Sequence, residues 1–146
     1  MTTILYDHKN KQIACDSRQS TQSFINSDVA IKYKYAGAVL WFLSGNPAGM
    51  DEFISEFDLG GKAPKNCNCN GLFINGGLVY SAFAESGKYC SELLTSSDSF
   101  GSGCWLAIAA LDFNKSAKDA VEYAMTRDSN TGGKIHVYDI AKAEFI

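Results

Sequence analysis

The chain begins MTTIL, and Thr2 is the residue with the most latent chemistry, because loss of Met1 would leave a hydroxyl and a free α-amine on one residue. Such a residue supplies its own nucleophile and base, the amine taking the hydroxyl proton as the oxygen attacks a carbonyl. Other nucleophilic arrangements lack their parts. His8 lies in a polar turn and His136 in an alternating segment, and neither has a G-x-S-x-G sequence or a metal-type neighbour beside it. An imidazole-activated serine or cysteine is therefore unsupported. No Walker-type loop is present, and GSG at 101–103 reads as a turn before a helix. Cys67 and Cys69, in NCNCN, lack the second pair or nearby histidine of a zinc site and read as part of a polar loop. An amine-based site would also want a lysine, whose charge keeps the amine neutral, and an aspartate to hold that lysine.

The elements that must position Thr2 are short strands. TTILY and QIACD flank the polar DHKNK and form a hairpin, with Cys15 and Asp16 at its end. The weakly alternating segment from Ala30 runs into AVLWFL, a continuous apolar run that suits a strand buried on both faces. NPAGMDEFISEF carries a helix start, Asn46 as N-cap and Pro47 in the first turn, with Phe53, Ile54 and Phe57 on one face and a stop near DLGG. GLFINGGLVYSAFAE is a hairpin turning at Asn75-Gly76. GSGCWLAIAALDF enters a helix whose buried side is marked by Trp105, Ile108 and Leu111, and SAKDAVEYAM starts another with Ser116 and Asp119 placed as a capping box. GGKIHVYDI and AKAEFI form a closing strand pair. The polar SRQSTQSFINSD and the Ser-rich stretch before GSG receive no element. Hairpins, one short helix, two further helices and terminal strands make an α+β domain with helices over antiparallel sheet.

The bulk properties agree. With 146 residues, 46% hydrophobic and 20% charged, the chain fits one globular domain able to bury a core without a metal or disulfide staple. A net charge of -3, with basic and acidic residues interspersed, offers no nucleic-acid surface. Nothing has the length of an apolar membrane span or the pattern of a signal peptide, and five cysteines without framework spacing read as free thiols, so a cytoplasmic location is expected.

Taken together, TTIL at the start, ACDSR closing the second strand, Lys32 following Asp16 at a set spacing, LSGNPAG, FGSGC and RDSNTGGKIHVY resemble the β-type subunits of the proteasome and of the bacterial two-component protease HslV. The resemblance covers nearly the whole chain, with its motifs in the family's order. It departs at Thr131, where the family usually has serine, at Asn46, which replaces the second glycine of a turn, and between 44 and 70, where one short helix stands for two longer ones.

The resemblance implies a four-layer αββα sandwich of the N-terminal-nucleophile hydrolase type with one outer helical layer shortened, in a single domain over 1–146 from which Met1 is removed. It implies a threonine endopeptidase in which Thr2 is the nucleophile and its α-amine the base. Asp16 would pair with Lys32, which lowers the pKa of the threonine system. Gly45 would supply an oxyanion-hole N–H, Ser102, Asp128 and Thr131 the network around the amine, and Ala30 and Leu43 a substrate pocket. No cofactor or metal is required. Polypeptide substrates, a homo-oligomer and an ATP-dependent unfoldase partner are implied, with no role for nucleic acid or membrane. Taken singly, Asp16 reads as a turn residue, Lys32 as a solvated strand lysine, and Ala30 and Leu43 as plain strand or core. A non-catalytic subunit of the same fold and an amidohydrolase acting on a small molecule are the alternatives.

Overall fold

A computed structural model of the chain describes residues 2–58 and 61–146. The expected hairpin is present as β1 (Thr3–Asp7) and β2 (Gln12–Cys15), antiparallel with Ile4 opposite Cys15. The polar stretch after it, given no element from the sequence, folds into a small hairpin of β3 (Gln19–Thr21) and β4 (Phe24–Ser27). β5 (Tyr33–Ala36) and β6 (Val39–Ser44) follow, and all of β6 after Val39 is buried, as its apolar run requires.

Helix α1 (Pro47–Asp58) starts where the Asn-Pro pair places it, with Asn46 Oδ1 accepting from Ala48 N at 3.1 Å. Phe53 and Ile54 on its inner face are buried. Of the expected stop at DLGG, Asp58 ends the helix, while Leu59 and Gly60 lie outside the described residues. β7 (Asn70–Asn75) and β8 (Leu78–Glu85) form the second predicted hairpin, but its turn sits one residue later than expected. Asn75 pairs with Leu78, and Gly76 and Gly77 carry the positive φ values of 60° and 77°. A two-residue turn that matches strand twist needs positive φ at both central positions, which Gly-Gly meets more easily than Asn-Gly.

The Ser-rich stretch holds two strands that its composition hid, β9 (Lys88–Leu93) and β10 (Asp98–Gly101). Helices α2 (Cys104–Asp112) and α3 (Ala117–Met125) come next, and Ser116 caps α3 by accepting from Asp119 N at 3.1 Å. The chain closes with β11 (His136–Asp139) and β12 (Glu144–Phe145).

The strands assemble into two five-stranded antiparallel sheets, ordered β10-β1-β2-β11-β12 and β5-β6-β7-β8-β9, with β3-β4 apart. One apolar cluster draws on both sheets, joining Ile4, Tyr6 and Ile13 to Leu40, Phe42 and Leu72. A second joins Leu5 and Ala14 of the first sheet to α2 and α3, and a third joins Trp41 and Leu43 of the second sheet to Phe53 and Ile54 of α1. Trp105 does not mark the buried side of α2: it is 81% exposed, and Ala107 and Ala110 face inward instead. In so uniformly apolar a helix, periodicity cannot choose a face, and the alanines of α3 opposite admit only small side chains. No helix among the described residues is long and apolar enough to cross a membrane.

Candidate active site

The polar residues singled out from the sequence lie at element ends. Thr2 immediately precedes β1, Asp16 follows β2, Lys32 precedes β5, Gly45 follows β6 and Ser102 follows β10. Asp128 and Thr131 lie in the loop after α3. Thr2, Asp16, Lys32 and Thr131 are all buried.

Lys32 Nζ donates to Thr2 Oγ1 at 2.6 Å, a contact that joins the start of the first sheet to the start of the second. Burial pushes the Lys32 ammonium below its ordinary value, opposed by the negative charge of Asp16. The Asp16 carboxyl is pushed up by its own burial, against the hydrogen bonds it accepts and the charge of Lys32. Those hydrogen bonds are structural. Asp16 Oδ1 accepts from Thr3 N at 2.9 Å, and Oδ2 accepts from Gly132 N at 3.0 Å and Arg18 N at 3.2 Å. Asp16 thereby ties the residue after Thr2 to two loops while its charge favours the ammonium form of Lys32. Cys15, buried beside it, is held as a neutral thiol by desolvation and the neighbouring Asp16 charge.

A second network runs through Asp128. Ser102 Oγ donates to Asp128 Oδ2 at 2.6 Å, and Thr131 Oγ1 donates to the same oxygen at 2.5 Å. Asn130 N donates to Oδ1 at 3.1 Å. Partial burial would raise this carboxyl, but the hydrogen bonds from Ser102, Thr131 and Asn130 outweigh it and hold Asp128 below the usual carboxylate range. Thr3 Oγ1 lies 2.6 Å from Thr131 Oγ1. Since Thr131 spends its proton on Asp128, Thr3 is the donor, and the three hydroxyls are oriented in one direction, toward the carboxylate. Thr3 therefore joins the Asp128 network through its hydroxyl, a part that nothing in the TT pair itself signals. The serine-to-threonine departure at 131 leaves this hydroxyl chain intact.

Close backbone approaches set the rest. Gly101 stands opposite Thr3 in the β1–β10 pairing with φ 95°, and a Cβ there would fall 1.6 Å from the Thr2 carbonyl oxygen. Gly45 has φ 128°, and a Cβ there would meet Asn68 O at 2.7 Å. Both are positions that only glycine fills without strain. Asn46, in place of a second glycine, is accommodated as the α1 cap, its own N–H donating to Asn68 Oδ1 at 3.4 Å.

A cavity of about 770 Å3 opens beside Lys32, with Ser44, Gly45, Gly101 and Ser102 in its wall and residues 19–22 of the β3–β4 hairpin along one side. Buried Ser44 and the hairpin wall escaped sequence reading, the first because it looks like the end of an apolar run, the second because its residues are polar and without pattern. Leu43 lines a smaller adjoining cavity of about 250 Å3 that shares Lys32 and Pro47 with the larger one. Ala30 lines neither, and its N–H donates to Ser17 O at 2.9 Å. Met1 lies outside the described residues, and with it the expected processing.

No protein-family model and no curated protein sequence matches the chain. Solved structures do. Thiobacillus denitrificans BPH in complex with epoxomicin superposes with a TM-score of 0.69 at 14% identity, over 94% of this chain and 97% of that one. A second structure of BPH from the same bacterium gives a TM-score of 0.66 at 13% identity, over 94% of this chain and 95% of that one. The chain has their fold. The likeness is one of fold, at an identity too low to carry residue roles across. What the residues can do rests on the local geometry: a buried threonine hydroxyl held by a lysine at the edge of an open cleft.

Proposed function

We propose that the chain is a threonine peptidase of the proteasome and HslV type, acting through Thr2 once Met1 is removed. The observation that carries this reading is the 2.6 Å hydrogen bond from Lys32 to the Thr2 hydroxyl, next to a cleft of about 770 Å3. Thr2 Oγ attacks the scissile carbonyl carbon while its α-amine takes the hydroxyl proton. Lys32 supplies positive charge beside the nascent alkoxide and discourages protonation of the amine. The Gly45 N–H receives the oxyanion, a preorganised donor worth roughly 3 kcal/mol of barrier. Collapse returns the proton to the leaving amine, and water activated by the same base releases the ester. Asp128, with Ser102 and Thr131, fixes the polar surroundings of the amine.

The epoxomicin-bound neighbour supports the reading, epoxomicin being a proteasome inhibitor. The three apolar clusters support a four-layer αββα sandwich in one domain, its outer layer over the second sheet reduced to α1. Cytoplasmic polypeptides as substrates, self-association into a chamber and delivery by an ATP-dependent unfoldase belong to the same proposal. The test is peptide turnover by protein whose intact mass shows Met1 removed. Turnover that disappears in Thr2→Ala is the expected result, and equal turnover by Thr2→Ala or by Met1-retaining protein would overturn it.

A further inference from the structure

The NCNCN segment is not used by the mechanism, yet it lies against the turn that the mechanism needs. Cys69 is buried and Cys67 partly exposed, and both line a small cavity of about 180 Å3 beside Asn46, Glu52 and Tyr89. Cys69 Sγ donates weakly to the Asn46 carbonyl at 3.8 Å and to Asn68 Oδ1 at 3.9 Å. Asn68, between the two cysteines, presses on the turn from the other side: its carbonyl fills the space a Gly45 side chain would need, and its Oδ1 receives Asn46 N–H. One residue thus separates two thiols and also braces Gly45 and Asn46.

We propose that Cys67 and Cys69 form a reversible disulfide under peroxide and that closing it withdraws Asn68 from the Gly45–Asn46 turn, slowing the Thr2 site. Residues two apart have Cα atoms at most about 7 Å from each other. A disulfide spans about 4.4–6.8 Å, so the two positions are within bridging reach, and the small ring the bridge closes takes in the backbone of Asn68. The partly exposed Cys67 thiolate attacks hydrogen peroxide, giving a sulfenic acid and hydroxide. The Cys69 thiol then displaces the sulfenic oxygen as water. Two thiols lose two hydrogens and two electrons, and one peroxide becomes two waters. A small dithiol reverses the step by exchange. Bridged, Cys69 has no S–H for Asn46 or Asn68, and the neutral thiol that burial and the nearby Cys67 maintain is gone.

The effect on turnover rests on the proposed role of Gly45, so the experiment reads structure and activity separately. Met1-free protein is treated with hydrogen peroxide, and peptide mapping, hydrogen exchange over residues 44–50 and peptide turnover are followed before and after reduction. Expected are loss of two hydrogens within the 67–69 peptide, faster exchange at 44–50, and kcat lowered by roughly tenfold to a hundredfold, all restored by a dithiol. Cys67→Ser should form no bridge and keep its turnover and exchange. Absence of the bridge, a bridge without altered exchange, or equal inhibition of Cys67→Ser overturns the inference. Protein that is inactive before oxidation contradicts the peptidase reading instead, and mapping and exchange still decide whether the bridge loosens the turn.

Discussion

The two sheets are backed by different materials. Behind the first, α2 and α3 meet it through small residues, Ala107, Ala110, Ala117, Ala120 and Ala124, around Val121. Behind the second, α1 rests on rings: Trp41 lies 6.4 Å from Phe53 and 5.2 Å from Phe57, and Phe57 5.7 Å from Phe73 and Tyr89. The first sheet carries Thr2 and Asp16, and the loop beyond its helices carries Asp128, where hydroxyl positions are set by short hydrogen bonds. The second sheet carries Lys32 and Gly45, and α1 behind it starts at the Gly45–Asn46 turn. The difference shows a division of labour: close-packed alanines back the sheet that carries Thr2, while bulky aromatics let one helix cover the sheet that leads to the Gly45–Asn46 turn.

The largest effect should come from the contact that crosses between the halves. Thr2→Ala removes the proposed nucleophile and should lower kcat by at least about a thousandfold in peptide assays. Because Thr2 is buried, the change should also cost about 1 kcal/mol of stability from the lost hydrogen bond, read in denaturant titrations. Lys32→Met should come next, with turnover down by roughly a thousandfold and unfolding free energy within about 1 kcal/mol of the parent. Its pH signature is distinct. A lysine whose folded pKa lies below its unfolded value binds fewer protons in the native state, so its contribution improves as pH rises between the two values. In Lys32→Met that rise should be absent.

The packing contrast can be broken from either side. Phe53→Ala opens a hole in the aromatic layer and should cost about 3–5 kcal/mol. Ala120→Leu overfills the alanine layer and should cost about 1–3 kcal/mol. Thermal denaturation orders the two, and a reversed order would show the alanine layer to be the less adaptable. Smallest is Asp128→Asn. Asp128 is held below its ordinary value, so its stabilisation is complete above the unfolded carboxylate value and fades as pH falls through the folded one. The variant should show a flatter acid limb in melting temperature between about pH 5 and 2.

The strands with apolar runs and the capped helices were legible, because AVLWFL, Asn46-Pro47 and Ser116 each carry a local physical signal. β3, β4, β9 and β10 were not, since their residues are polar or at least partly exposed and gain strand structure from neighbours rather than from pattern. The candidate site residues could be picked out as types in order, and the structure brings Thr2 to Lys32 and Asp128 to Ser102 and Thr131. The donor part of Thr3, the three N–H groups on Asp16 and the buried Ser44 are long-range facts that no local spacing encodes.

An epoxyketone presents two electrophilic carbons, a match for a residue that offers both a hydroxyl and a free amine. Mass spectrometry of Met1-free protein after such treatment should show one adduct per chain, mapped to Thr2 and absent from Thr2→Ala. Met1-free protein that stays unlabelled, or an adduct that persists in Thr2→Ala, would contradict the assignment of Thr2 as the nucleophile.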